Sequence, residues 1–203
     1  MDFDLNDFYI TVGKKRSGKS HFIKQQIIPS VLKSGKRLII IDFVTREYSY
    51  LGLETITSVK ELMARGIDFI SNNSFRVCLQ NWNDEEELKA LLGLIYLAGN
   101  SFVIVEEAGL VLNTRQFEIA TVISFSGRHV NTGAMFVTQR PRKLPADIIS
   151  QSVNWIIFKI IDNYDLIEIK KKFKDFAVSQ INNLSQYEFI IYLYEEFQGV
   201  FKI

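Results

Sequence analysis

Short, nearly continuous apolar runs alternate along the chain with longer segments in which apolar residues recur every three or four positions. Runs of this length are typical of parallel strands that are buried on both faces of a sheet. They predict strands at Phe8–Val12, Arg37–Ile41, Phe75–Leu79, Phe102–Val105, Ala134–Thr138 and Trp155–Ile160. Two further segments, Tyr187–Tyr194 and Gly199–Ile203, predict a C-terminal hairpin.

The segments between these runs have the spacing of amphipathic helices. They predict helices at His21–Leu32, Ser58–Arg65, Thr114–Phe125, Pro145–Gln151 and Tyr164–Ile181, and one that opens at Asn83–Glu87. In the first helix, Pro29 predicts a kink or an end, because proline removes a backbone hydrogen bond. Asn83 is the predicted N-cap of its helix, and the acids that follow it suit the positive end of the helix dipole.

Strands that alternate with helices predict an α/β fold, in which a mostly parallel sheet is flanked by helices on both faces. The length of 203 residues predicts a single domain, residues 1–203. The formal net charge of +1 gives no global electrostatic case for nucleic-acid binding. Cys78 is the sole cysteine, which excludes an internal disulfide, and the longest apolar run, Ala90–Ala98, is too short to cross a bilayer. We therefore expect a soluble intracellular protein.

Residues 13–20 read GKKRSGKS, which matches G-x-x-x-x-G-K-[ST], a loop that binds nucleotide phosphates. In such a loop, Gly13 and Gly18 let the backbone turn its N–H groups inward. Lys19 would reach the β- and γ-phosphates, Ser20 would hold Mg²⁺, and the following helix would point its positive end at the anion. The competing interpretation is a glycine turn with solvated lysines. The predicted strand before the loop and helix after it favour the phosphate site.

Two predicted strands end in acids, and either could carry the second acid of a nucleotide site. Asp42 follows Arg37–Ile41, the first strand after the loop, as in GTPases and nucleotide kinases. Glu106 and Glu107 follow a later strand, as in motor-type ATPases, where a glutamate one residue past the metal-side acid activates water. A strand that simply ends in two solvated acids is the competing interpretation.

A third element favours the motor-type interpretation. The apolar strand Ala134–Thr138 is followed by Gln139. In an open parallel sheet, a side chain at this end of a strand points into the crevice where ligands bind. The Gln139 amide would contact both the γ-phosphate and the attacking water. The competing interpretation is a surface glutamine in a turn before Pro141.

Three segments together, GKKRSGKS, VIVEEAG and GRHVNTGAMFVTQRPRKLP, resemble the FtsK/HerA superfamily of DNA-pumping ATPases. The segment Leu38–Tyr48 also resembles a HerA-like element, with an Asp at the strand end and Glu-Tyr shortly after. The resemblance covers about Tyr9 to Asp165 and implies a P-loop NTPase of the RecA/ASCE-like, FtsK-HerA type. The chain is short for this superfamily and most resembles viral genome-packaging ATPases, in particular those of the turreted icosahedral viruses of archaea.

The resemblance implies a role for each matching residue. Glu106 matches the metal-side acid, where Asp is usual, and Glu107 matches the general base. Gln139 matches the sensor, and Asp42 matches the superfamily's strand-end acid, whose role the sequence leaves open. The implied cofactors are ATP and Mg²⁺, with Ser20 and Glu106 on the metal. The implied nucleotide-binding residues are Gly13, Lys14, Lys15, Arg16, Ser17, Gly18, Lys19, Ser20 and His21.

Motors of this superfamily use an arginine from a neighbouring subunit to stabilise transition-state charge. Arg128, in the GR element, is the first candidate, and Arg115 and Arg140 are the others. Such an arginine requires a homo-oligomeric ring, expected to be a hexamer or a pentamer. The ring would bind double-stranded DNA through sequence-independent, salt-sensitive phosphate contacts. Basic clusters at residues 140–143 and 170–174 are candidates for these contacts, although the second lies on a predicted amphipathic helix and is also explained as a solvated face.

The resemblance thus implies an ATP-hydrolysing motor that translocates double-stranded DNA and packages a viral genome into a preformed capsid. Its expected place is the host cytoplasm or the virion, with capsid-vertex or membrane proteins as partners, and it is not expected to be a membrane protein itself. Three alternatives stay open: a HerA-like cellular translocase or helicase, a P-loop nucleoside or nucleotide kinase, and a non-catalytic ATP-binding module.

Overall fold

The computed structural model describes residues 3–43, 47–79, 84–112 and 127–203. Within these residues, nine strands form one sheet with the order β3-β4-β2-β5-β6-β1-β7-β8-β9. The strands are β1 (Phe8–Val12), β2 (Arg37–Ile41), β3 (Glu54–Ile56), β4 (Phe75–Val77), β5 (Ser101–Val105), β6 (Gly133–Thr138), β7 (Asn154–Phe158), β8 (Glu188–Leu193) and β9 (Glu196–Lys202). The seven strands from β3 to β7 in this order run parallel, and β8 and β9 add an antiparallel hairpin. The predicted α/β fold is confirmed.

Helices cover both faces of the sheet. They are α1 (Lys19–Phe22), α2 (Ile28–Ser34), α3 (Val59–Asn72), α4 (Glu85–Ala98), α5 (Ala108–Val111), α6 (Ala146–Gln151) and α7 (Asn163–Asn183). Alternate residues of each buried strand face opposite sides, so that Ile10 and Val12 pack with α3, α4, α6 and α7, whereas Tyr9 packs with α1 and α2. The sheet is therefore the middle layer of three, and it presents the carboxyl ends of its parallel strands at one edge.

Pro29 was predicted to kink or end the helix after the glycine loop, and the helix does not end there. A π-helical turn, Ile23–Ile27, joins α1 to α2, and all three segments run on continuously from Lys19 to Ser34. Pro29 lies in the first turn of α2, where a backbone N–H is not needed for the α-helical pattern. The wider π turn thus accommodates the proline without a helix end.

Several boundaries differ from the prediction. The helix predicted at Ser58–Arg65 continues to Asn72 across Gly66, whose φ of 79° breaks the regular helix. The short edge strand Glu54–Ile56 was missed, since it is half-exposed and has no apolar run. The observed N-cap of α4 is Asp84, whose carboxylate accepts from the N–H groups of Glu86 and Glu87. The predicted cap Asn83 and the predicted helix 114–125 lie outside the described residues.

Candidate nucleotide site

The glycine loop lies between β1 and α1, at the carboxyl edge of the sheet. A side chain at Gly13 would lie 2.5 Å from Phe158 Cβ and 2.9 Å from Ser17 Oγ, so no larger residue fits. Gly18 has a φ of 116°, a backbone conformation that glycine adopts without strain. Ser17 Oγ is buried and has no hydrogen-bond partner among the described residues. A tight loop of this kind, at a helix N-terminus and with an unpaired buried hydroxyl, fits a bound polyphosphate.

Lys19 is the one predicted phosphate contact whose charge the loop buries. Its Nζ donates to the carbonyl of Gly13 at 2.7 Å and to that of Lys14 at 3.1 Å. Burial lowers the pKa of this ammonium, and the carboxylates of Glu107 and Glu106 partly oppose the shift. A buried ammonium whose hydrogen bonds go only to neutral carbonyls is a strong binding point for an anion, because water screens it little.

The other predicted contacts surround Lys19. Ser20 is half-buried at the start of the helix, and the side chains of Lys14, Lys15, Arg16 and His21 are exposed. The loop is anchored from outside, because Lys14 N donates to the carbonyl of Lys159 at 2.8 Å. The exposed basic side chains therefore lie on the outside of the loop, around the buried Lys19.

The acids predicted from the strand end lie directly after β5, and they have different surroundings. Glu106 is 5% exposed and accepts a short hydrogen bond from the hydroxyl of Tyr48, which is fully buried. Burial raises the pKa of the Glu106 carboxyl to about 7. Burial and the neighbouring Glu106 raise the pKa of Tyr48, so the phenol keeps its proton and donates. Tyr48 was not assigned a role from the sequence, although it closes the HerA-like segment Leu38–Tyr48.

The raised pKa of Glu106 gives a prediction about stability. An ordinary Glu has a pKa of 4.5, so the folded protein holds more protons at this position between pH 4.5 and about 7. Stability should therefore fall as the pH rises through this window, by on the order of 3 kcal/mol for a shift of this size. We expect Glu106→Gln to stabilise the metal-free protein at pH 8, and the gain to shrink towards pH 5. Denaturant unfolding of both proteins in the presence of a chelator measures the free energy of unfolding at each pH. An equal gain in that free energy at pH 8 and at pH 5 would contradict the prediction.

Glu107 and Gln139 are brought together by neighbouring strands. Gln139 Nε2 donates to Glu107 Oε1 at 2.5 Å, and both side chains are half-buried. Glu107 has left-handed backbone angles, with φ 47° and ψ 44°, at the turn from β5 into α5. Such a conformation is costly for a residue with a side chain and is often found at functional sites. The predicted base and the predicted sensor thus form one pair at the end of β5 and β6.

The strand order places the two acid-bearing strands at different distances from the glycine loop. β6 lies between β1 and β5, so β5 is two strands from the loop-bearing strand and β2 is three. With about 4.8 Å between neighbours, β2 lies about 14 Å from β1, and β5 about 10 Å. Asp42, fully buried at the end of β2, is further from the loop than Glu106 and Glu107. This layout, with β6 between β1 and the acid-bearing β5, favours the motor-type interpretation.

The arginine candidates lie in different places. Arg128 is half-exposed, and its Nη2 lies 2.6 Å from Oδ1 of the buried Asp7, which directly precedes β1. Since β1 is about 17 Å long, Arg128 lies at the amino edge of the sheet, away from its own glycine loop. Arg140 lies next to Gln139, with its Nη1 3.6 Å from Asp162 Oδ2, beside a cavity of about 300 Å³. Arg115 lies outside the described residues.

The lysines of the second basic cluster are largely paired. Lys170 contacts Asp175 at 2.7 Å, Lys171 contacts Glu168 at 2.6 Å, and Lys172 contacts Glu195 at 2.8 Å. These ion pairs favour the interpretation of a solvated helix face over that of a free DNA-binding patch. The first cluster is also partly paired, through Arg140 and Arg142 to the acids at the start of α7.

In the ranges that the structure describes, no three His, Cys, Asp or Glu side chains are grouped to hold a metal ion. Mg²⁺ at phosphates is usually held by one or two protein oxygens plus water and phosphate, so Ser20 and Glu106 are a suitable donor set. None of the helices described is both long and apolar enough to span a bilayer.

Comparisons with known proteins agree with the α/β fold and its glycine loop. No family model matches the chain. It is 28% identical over 154 residues, 72% of this chain, to the DNA double-strand break repair helicase HerA of Sulfurisphaera tokodaii, and it spans only 29% of that relative's length. The structure matches the DNA-packaging ATPase from Sulfolobus turreted icosahedral virus over 98% of each chain, with a TM-score of 0.81 and 26% identity. It also matches the genome packaging NTPase from Sulfolobus turreted icosahedral virus 2 in complex with ATP-γS, over 98% of each chain, with a TM-score of 0.82 and 24% identity.

Proposed function

We propose that this chain, a P-loop ATPase of the FtsK/HerA type, uses ATP to move double-stranded DNA and packages a viral genome into a preformed capsid. The observation that carries the proposal is the end-to-end match to a DNA-packaging ATPase, which covers 98% of both chains. On this proposal, residues 1–203 act as one ATPase domain in the cytoplasm of an infected cell. Capsid-vertex proteins are its proposed docking partners.

The site residues have proposed roles that follow from their positions. Lys19 and the loop backbone hold the triphosphate, while Ser20 and Glu106 hold Mg²⁺. Glu107 activates the attacking water, and Gln139 orients both the water and Glu107. Positioning and electrostatic stabilisation account for most of the catalysis in such a site.

An arginine supplied by a neighbouring subunit completes the proposed site. Arg128 lies at the amino edge of the sheet and Glu107 at the carboxyl edge. In a head-to-tail ring, the surface that carries Arg128 on one subunit would meet the nucleotide edge of the next. A ring in which each subunit completes its neighbour's site is therefore the proposed active form.

A nucleotide kinase fits the geometry less well. Its acid would be Asp42, but two strands separate β2 from β1. Arg140 and Arg142, which could form an anion-binding lid, face acids of α7 instead. A HerA-like cellular translocase is the closer alternative, because the sequence similarity to HerA supports it.

Steady-state ATP turnover with and without long double-stranded DNA tests the proposal. We expect DNA to raise turnover, and the stimulation to decline steeply between about 50 and about 200 mM salt, because phosphate contacts release counterions. Polyglutamate, a polyanion without bases or a helical backbone, is the matched control and should not stimulate. Turnover that depends on a nucleoside or nucleotide acceptor and ignores DNA would identify a kinase. Binding of the protein to empty capsids of its virus would separate packaging from a cellular helicase role.

A further inference from the structure

The cleft outside the glycine loop extends towards the C-terminal hairpin. It has a volume of about 400 Å³ and is lined by the loop, by Glu47 at one end, and by Gln186 and Tyr187 at the other. That volume is within the usual range for small-molecule and cofactor sites. Gln186 and Tyr187 come from the turn that leads into β8, and neither residue has a predicted functional role.

The order of the strands indicates how a bound nucleotide would be oriented along the edge of the sheet. Glu107 and Gln139, at the ends of β5 and β6, lie on one side of β1, and Tyr187, before β8, lies on the other. A triphosphate whose γ-phosphate lies at Glu107 and Gln139 runs across the loop that follows β1. Its α-phosphate, sugar and base therefore extend towards β7 and β8, the side on which Tyr187 lies.

Tyr187 is held in position by the loop itself. Its backbone N–H donates to the carbonyl of Ser17 at 3.2 Å, and its carbonyl accepts from the N–H of Ile203 at 3.1 Å. Its backbone is left-handed, with a φ of 66°, which is uncommon for an aromatic residue. Tyr187 nevertheless keeps 43% of its surface exposed and lines the cleft. Two backbone bonds thus fix a strained residue and leave an aromatic face open beside the phosphate position.

We propose that Tyr187 is the platform on which the nucleotide base stacks. The His21 ring, whose centroid lies 6.4 Å from that of Tyr187 at an angle of 56°, lies beside the platform and lines the same cleft. Gln186 lies at the rim, with its Nε2 3.5 Å from the carbonyl of Arg16. Because any purine presents a flat face, the platform accepts adenine and guanine alike. This proposal rests on the proposed nucleotide site.

A purely structural role of Tyr187 gives a different expectation. Tyr187 Cδ1 lies 3.1 Å from the position that a Cβ on Gly18 would occupy, so the ring also packs against the loop. If packing were its main role, loss of the ring would disturb the phosphate position and weaken every polyphosphate ligand. If stacking is its role, loss of the ring weakens only ligands that carry a base.

Calorimetric binding of two ligands separates these roles: a non-hydrolysable ATP analogue and inorganic tripolyphosphate, both with Mg²⁺. We expect the wild-type protein to bind the analogue more tightly than tripolyphosphate. Tyr187→Asn should lower the affinity for the analogue by at least about fivefold and leave the affinity for tripolyphosphate unchanged. Asparagine is chosen because it tolerates the left-handed backbone. Tyr187→Phe keeps the ring and should bind as the wild type does.

Tyr194→Asn is the matched control, because Tyr194 lies at the other end of β8, is 59% exposed and has a φ of 52°. It should leave the affinity for both ligands unchanged. The platform is excluded if Tyr187→Asn lowers the affinity for both ligands equally, or if it lowers the affinity for neither. If the wild-type protein has the same affinity for tripolyphosphate and for the analogue, the platform is excluded and the phosphate site is still supported. Wild-type protein that binds neither ligand would exclude the nucleotide site together with the platform.

Discussion

Replacing Glu107 with glutamine is expected to lower steady-state ATP turnover by about a hundredfold to ten-thousandfold, the range of general-base catalysis. Glutamine has the same shape as glutamate, but its amide cannot take a proton from water. Its side-chain oxygen can still accept from Gln139 Nε2, as Glu107 Oε1 does at 2.5 Å, so the pair should keep its geometry. The Lys19 contacts lie in the glycine loop and are not altered. The variant should therefore bind ATP and retain it unhydrolysed.

Two measurements check this expectation together. Turnover is followed by phosphate release, and retained nucleotide is identified after rapid separation of protein from free ligand. Glu86→Gln is the matched control, since Glu86 has an 86% exposed side chain in the first turn of α4 and is not expected to affect turnover. Normal ATP turnover by Glu107→Gln would show that Glu107 is not the general base. Loss of ATP binding in the same variant would point to a structural role instead.

The glycine loop was predictable because its determinants are local. The spacing of two glycines, a lysine and a serine sets the backbone of residues 13–20, and a strand and a helix flank it as predicted. The pairing of Glu107 with Gln139 was predictable only in part. Side chains at the carboxyl ends of parallel strands meet at one edge, but periodicity alone does not show that β5 and β6 are neighbours. The structure shows that adjacency.

Residues in irregular segments could not be found in this way. Tyr48 reaches Glu106 from the segment after β2, and Tyr187 reaches the glycine loop from the turn before β8. Their positions depend on how segments distant in the sequence pack together. The hydrophobic periodicity of strands and helices, 2 and 3.6 residues, carries no information about that packing. The Glu-Tyr pair at residues 47–48 was the available signal for Tyr48. For Tyr187 the sequence offered only its place at the start of a predicted strand.

The differences in secondary structure have the same origin. The three-residue strand Glu54–Ile56 is defined by pairing with β4 rather than by its own composition. The helix at Lys19–Ser34 tolerates Pro29 because a π turn precedes it, and a propensity argument does not include that turn. Arg128 was selected by its place in a motif, but the motif does not say at which edge of the sheet the residue lies. Local rules thus predicted the elements, and tertiary packing determined their ends and the partners of single side chains.

Replacing Lys19 with alanine is expected to abolish measurable ATP binding and turnover without unfolding the protein. Each lost contact from a charged donor to a phosphate costs about 1.5–3 kcal/mol, so the loss of two such contacts lowers affinity by at least about a hundredfold. Burial lowers the pKa of Lys19, which means that the folded protein bears a desolvation cost for this ammonium. The alanine variant loses the hydrogen bonds to Gly13 and Lys14 but also this cost, so its unfolding temperature should stay near that of the wild type.

The contrast between activity and stability is what makes the Lys19 variant informative. Lys33→Ala, an exposed lysine on α2 of the same continuous helix, is the control and should keep both ATP affinity and stability. An inactive Lys19→Ala that unfolds many degrees earlier would show that the lysine stabilises the loop rather than the nucleotide. Hydrolysis at the wild-type rate would show that GKKRSGKS does not hold the phosphates. We expect the variant to lose ATP affinity while its stability stays unchanged. The reason is that the hydrogen bonds of the Lys19 ammonium within the loop go only to carbonyl groups, so its charge is available to bind a phosphate.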